Sequence, residues 1–120
     1  MELSEIKEEL LSKGFEGCEV SEENGLTVLK CGVPVELQEE IGVAGIEVGF
    51  ANIEDLVNIQ LLHTPSRRLT EPEIYEIAKE VLPLENLRIG YWCHPDFTEI
   101  EFYGEGSKKA SKRFINKLLG

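Results

Sequence analysis

Aspartate is almost absent from this chain: Asp55 and Asp96 stand against 21 glutamates, and methionine and tryptophan occur once each in 120 residues. Histidine is as scarce, at two residues, and cysteine numbers three. With no C-x-x-C and no closely spaced His pair, Cys18, Cys31, Cys93, His63 and His94 do not offer the converging ligands of a zinc site. There is no G-x-S-x-G elbow, no H-E-x-x-H, no G-x-x-x-x-G-K-[ST] loop and no G-x-G-x-x-G turn. The nearest glycine pattern, Gly42-Val43-Ala44-Gly45, has the wrong spacing and reads as strand packing. No apolar run approaches the ~20 residues of a membrane span, and Met1-Glu2-Leu3-Ser4-Glu5 lacks the basic start of a signal peptide. These shortages argue against an enzyme. They lead us to expect a cytoplasmic protein with no membrane contact, no cofactor and no resident metal. The glutamate-rich composition suits a heat-adapted cytoplasm.

What is present suffices for a core. Hydrophobic residues make up 42% of the chain, and no repeat or linker divides it, so residues 1–120 read as a single domain. Leu3, Ile6, Leu10 and Leu11 share one arc of a helical wheel, predicting a helix from about Ser4 to Lys13, closed by Gly14 and packed by Phe15. Asn24-Gly25 signals a hairpin with a type I′ turn, which sets Glu19 against Lys30, Val20 against Leu29 and Cys18 against Cys31. Residues 33–41 read either as an edge strand (Val33, Val35 and Leu37 alternate) or as a short helix, with Pro34 against a central strand.

Two strands follow at about 43–51 and 56–63. In the second, Val57, Ile59 and Leu61 alternate with Asn58 and Gln60, predicting one buried and one wet face. Gly42, Gly45 and Gly49 beside the first suggest a bulge or close packing. Thr70-Glu71-Pro72-Glu73 opens a helix with a capping box, a Leu69–Ile74 staple and a buried stripe of Ile74, Ile77, Ala78 and Val81, stopped by Pro83. A second hairpin turns at Pro95-Asp96, placing Tyr91 with Ile100 and Ile89 with Phe102 on one face. Arg88, Gly90, Trp92, Glu99, Glu101 and Tyr103 lie on the other. A last helix runs from Ser107 to about Leu119. The order α-β-β-(?)-β-β-α-β-β-α defines an α+β fold: an antiparallel β-sheet built from hairpins, with three helices.

Cys18 and Cys31 fall on a non-hydrogen-bonded pair, where Cα atoms approach to about 4.5 Å, near the short limit for a disulfide. Two readings stand: a pair of small buried apolar side chains, which we prefer, and a cross-strand disulfide. A thiol, disulfide or metal role for this pair is a third-ranked function. Trp92 beside Arg88 offers a place for a second subunit, because aromatics and Arg are enriched in interface cores.

The most uneven feature is charge. The whole chain carries −11, yet residues 107–120 hold Lys108, Lys109, Lys112, Arg113 and Lys117 with no acid. The remainder has the other seven cations against all 23 acids, a net of −16. Ala110, Phe114, Ile115, Leu118 and Leu119 fill one half of the last helix, leaving a cationic stripe on the other. Lys108 and Lys109 sit where the helix dipole disfavours cations by about 0.3–1 kcal/mol each. Either the chain's own glutamates or an anion from elsewhere offsets that. Gly104-Glu105-Gly106-Ser107 leads a strand into a helix N-terminus, a geometry that suits phosphate.

Residues Gly104 to Lys109, continued by Lys112 and Lys117-Leu118, resemble the end of a double-stranded-RNA-binding domain. The resemblance implies that Lys108, Lys109 and Lys112 grip phosphates across a groove. It covers about fourteen residues, and the chain departs from the pattern at Ser111, Phe114 and Ile115, in strand number and in its acidic body. In element order the chain is also similar to small acidic secretion-chaperone proteins, whose helix-flanked antiparallel sheets dimerise. The leading expectation is a non-catalytic interaction module that forms a homodimer or docks an acidic protein partner through Gly106, Ser107, Lys108, Lys109, Lys112 and Arg113. RNA or phosphate binding at the same helix is the alternative.

Overall fold

A computed structural model describes residues 2–66, 69–81 and 88–120. The chain runs α1 (Leu3–Ser12), β1 (Glu16–Glu23), β2 (Leu26–Gly32), α2 (Val35–Ile41), β3 (Gly45–Ala51), β4 (Leu56–Leu62), α3 (Glu71–Val81), β5 (Arg88–Cys93), β6 (Phe97–Tyr103) and α4 (Ser107–Leu119). The class is α+β, as the patterning predicts, with four helices in place of three. The added helix is α2. Alternation over 33–37 would turn Val35 inward as part of a strand, but Val35 is 80% exposed. Leu37 and Ile41, four residues apart, instead pack on the core, and the segment closes at Gly42, whose φ of 86° is open to glycine at little cost.

All strands pair antiparallel in one six-stranded sheet of order β1-β2-β3-β4-β6-β5. Asn24 and Gly25 both adopt positive φ (49° and 79°), as a type I′ turn demands. The register set by that turn holds at Glu19–Lys30 and Val20–Leu29, then shifts by a bulge between Glu16 and Glu19. Gly45 and Gly49 mark close packing: a Cβ at Gly45 would lie 3.1 Å from the Cys31 carbonyl. The second hairpin keeps the expected pairs, Tyr91–Ile100 and Ile89–Phe102. The β2–β3 pairing spans α2 and the β4–β6 pairing spans α3 and β5, so no local turn dictates either link.

Side chains of one parity, among them Leu29, Ile46, Val48, Val57, Ile59, Ile100 and Phe102, form a single core with Leu3, Ile6 and Leu10 of α1, Ile74 and Ala78 of α3, and Phe114 and Ile115 of α4. Phe102 and Phe114 meet edge to face at 5.5 Å. The helices thus cover one face of the sheet. Among the described residues no helix covers the other, and β4 shows the expected alternation of buried Val57, Ile59 and Leu61 with more exposed neighbours.

Leu69 and Ile74 are buried as a staple, and the Thr70 hydroxyl donates to the Glu73 carboxylate at 3.0 Å. The expected stop at Pro83 lies outside the described residues. Among those described, no helix is long and apolar enough to cross a membrane.

Candidate interaction surfaces

The cationic stripe of α4 is split by its surroundings. Gly106 caps the helix with φ 87°, and no side chain caps it. Ser107 is buried, with an Oγ that has no hydrogen-bond partner, and its own N–H already donates to the Gly104 carbonyl at 3.1 Å. Lys108 lies over the Phe50 ring, 5.3 Å from its centroid. Lys112 stands 4.0 Å from Glu5, and Lys117 is 2.8 Å from Glu80. The chain's own glutamates therefore take up part of the charge. Lys109 and Arg113, one helical turn apart, are exposed, and among the described residues neither has a carboxylate within ion-pair distance. Arg113 borders a groove of about 390 Å³ between α3 and α4 with Glu80, Asn116 and Lys117.

Cys18 and Cys31 are joined by a disulfide with Cα atoms 4.2 Å apart, which corrects the preferred expectation of two free apolar side chains. The sequence places the pair correctly across the hairpin. Cys18 lies within the register irregularity between Glu16 and Glu19. Cys93 is free and exposed.

The open face of the sheet carries a continuous polar network across β4, β6 and the end of β5. Register aligns Asn58 with Glu101 and Gly90 in one row, and Gln60 with Glu99 and Trp92 in the next. Asn58 Nδ2 donates to Glu99 Oε2 at 2.7 Å and to Glu101 Oε2 at 3.1 Å. The Tyr103 hydroxyl donates to Glu101 Oε1, and His94 Nε2 lies 2.8 Å from Glu99 Oε1. Burial pushes the Tyr103 phenol up to about 12, with help from its bond to Glu101 and the charge of Glu101 and Glu99. Trp92 is 43% exposed. Its ring folds over Gly90 so closely that a Cβ there would lie 2.6 Å from Trp92 Cη2 and 3.4 Å from Tyr103 Cε2. Patterning finds Arg88, Trp92, Glu99, Glu101 and Tyr103 on this face. It misses Asn58 and His94, because only the non-local β4–β6 pairing brings Asn58 to the glutamates.

His63 behaves as the hydrogen-bonded boundary residue its place suggests: Nε2 is 2.7 Å from Thr98 Oγ1 and its N–H donates to the Asp96 carbonyl at 2.9 Å. It pins the end of β4 to the β5–β6 turn beside a cleft of about 630 Å³. Among the described residues no three His, Cys, Asp or Glu side chains converge as metal ligands.

The fold and surfaces define an α+β protein with a six-stranded antiparallel sheet covered on one face. No protein-family model, curated protein or solved structure matches the chain. The likeness to a double-stranded-RNA-binding domain therefore rests on the residues of α4 and its leading turn alone.

Proposed function

We propose that this chain is a non-catalytic interaction module that works by pairing with a second copy of itself. The observation that supports this reading is the state of the open face beside β5. There an exposed Trp92, an exposed Arg88 and two glutamates lie together, and the glutamates are met by an amide, a phenol and an imidazole. Aromatic and Arg side chains in a half-wet setting are the composition of interface cores. Light scattering on a gel-filtration column tests the reading. The expected mass is that of two chains, and a strict monomer at the highest attainable concentration overturns it.

A second reading, anion docking on α4, is favoured by Lys109 and Arg113, which hold no carboxylate among the described residues. It covers RNA, phosphate or an acidic protein segment. Binding to double-stranded RNA would fall steeply with salt and would disappear when Lys108, Lys109 and Lys112 are all replaced by Gln. Retention unchanged by the triple replacement excludes α4 as the site.

A further inference from the structure

Strand β5 ends the sheet, and its chemistry is unlike that of the opposite edge. In β1, Glu16, Glu19, Glu22 and Glu23 line the margin, and a second copy laid against them would meet like charge. β5 reads Arg88-Ile89-Gly90-Tyr91-Trp92-Cys93, with Arg88 as its one charge. Arg88 is exposed, and among the described residues no carboxylate lies within ion-pair distance of it. One and two rows away along the same face, Glu101 and Glu99 are held by an amide, a phenol and an imidazole, with no Lys or Arg among their described partners. Among the described residues, then, Arg88 has no carboxylate and Glu99 and Glu101 have no Lys or Arg, on one continuous face.

We propose that β5 is the edge along which two copies of this chain join, antiparallel about a two-fold axis at Gly90, so that Arg88 of each copy is the cation for Trp92 and Glu99 of the other. This rests on the self-association reading and names its surface. The geometry follows from register. Antiparallel pairing centred on Gly90 sets Arg88 directly opposite Trp92 of the second copy, and Trp92 is itself opposite Glu99 within its own sheet. The lateral row then runs Glu99, Trp92, Arg88 of the second copy, with strands about 4.8 Å apart. An Arg side chain laid across the Trp face spans that distance, making a cation–π contact on the way to the carboxylate.

Arg88, Gly90 and Trp92 share one parity, so the two open faces become a single face of a twelve-stranded sheet. At Gly90 the place of a side chain is taken by the Trp92 ring, so that ring lies beside the axis. Because the interface is isologous and the β1 edge is acidic, assembly closes at two copies and does not run on as a fibre.

Sedimentation equilibrium of the full chain is the test, with Arg88→Glu, Arg88→Gln and, as a matched charge change at an exposed site of α3, Lys79→Glu. Trp92, the single tryptophan, reports burial by its emission. Association of the wild type with a blue shift, weakened more than ~10-fold by Arg88→Glu, less by Arg88→Gln and not by Lys79→Glu, is the expected result; ~10-fold is the scale of one lost charge-assisted contact. Near-UV circular dichroism shows that each variant is folded, and Arg88→Gln carries the test should Arg88→Glu not fold. A dimer indifferent to both Arg88 replacements, or one weakened as much by Lys79→Glu, overturns the β5 edge while leaving self-association standing. A wild-type chain that never associates overturns both.

Discussion

The two edges of the sheet solve the same problem by different means. β1 is almost wholly exposed, down to Val20 at 54%, so little apolar burial holds it. It is kept in place by main-chain pairing with β2 and by the Cys18–Cys31 disulfide, and four glutamates line it. One of its carboxylates is answered by a cation. Glu23 lies 3.2 Å from Lys30, which also lies 3.9 Å from Glu47 of β3, and those contacts, the Glu23 hydrogen bond first, raise the pKa of the Lys30 amine. At the β5 side, the apolar half of the hairpin, Ile89 and Tyr91, rests against the core, no disulfide ties the strand, and the neighbouring carboxylates are met by an amide, a phenol and an imidazole. One margin is lined by glutamates and secured covalently. The other is secured by packing and carries a single charge, Arg88.

Breaking the β1 edge gives the larger effect. Replacing both Cys18 and Cys31 by Ala, or reducing the bond, removes a cross-link spanning 13 residues of sequence, worth about 3 kcal/mol on chain-entropy grounds. Denaturant unfolding should show that loss, and amide exchange should show it concentrated in β1 and β2. Thiol titration provides the direct check: one reactive thiol, Cys93, without reductant and three with it. Three reactive thiols in the native, unreduced protein, or an unfolding midpoint unmoved by the double replacement, would remove the covalent half of the comparison. β5 should be unaffected by either treatment.

The contrast between the edges was partly visible in the sequence. Local signals carried most of the fold: Asn24-Gly25 fixed one hairpin register, Pro95-Asp96 the other, and the apolar spacing of Ala110, Phe114 and Ile115 set the buried side of α4. Residues 33–41 stayed open because period-2 and helical patterns overlap in so short a stretch, and only the packing of Leu37 and Ile41 decides between them. The surface was less legible. A cationic stripe can be read from a helical wheel, but whether Lys117 meets Glu80 or Lys112 meets Glu5 depends on how α3 and α1 pack beside α4. Likewise Asn58, in β4, reaches Glu99 and Glu101 across a pairing separated by about forty residues, beyond any turn rule.

The smaller effect sharpens the β5 side. Tyr103 has its phenol pKa raised from 10.0 to about 12, by burial first and then by its bond to Glu101 and the charges of Glu101 and Glu99. Because the folded state favours the protonated phenol, its contribution to stability is intact below about pH 10 and is lost as pH rises through about 12. Glu101→Gln removes a charge at nearly constant size. The Tyr103 midpoint, followed by phenolate absorbance and assigned with Tyr103→Phe, should then fall toward 10.0 without reaching it, since burial remains. Glu19→Gln on the β1 edge, the same chemical change beside Lys30, should leave that midpoint where it was. If the two replacements move Tyr103 equally, the negative potential belongs to the whole acidic chain and not to the glutamates beside β5. In that case the two edges differ in packing and cross-linking alone.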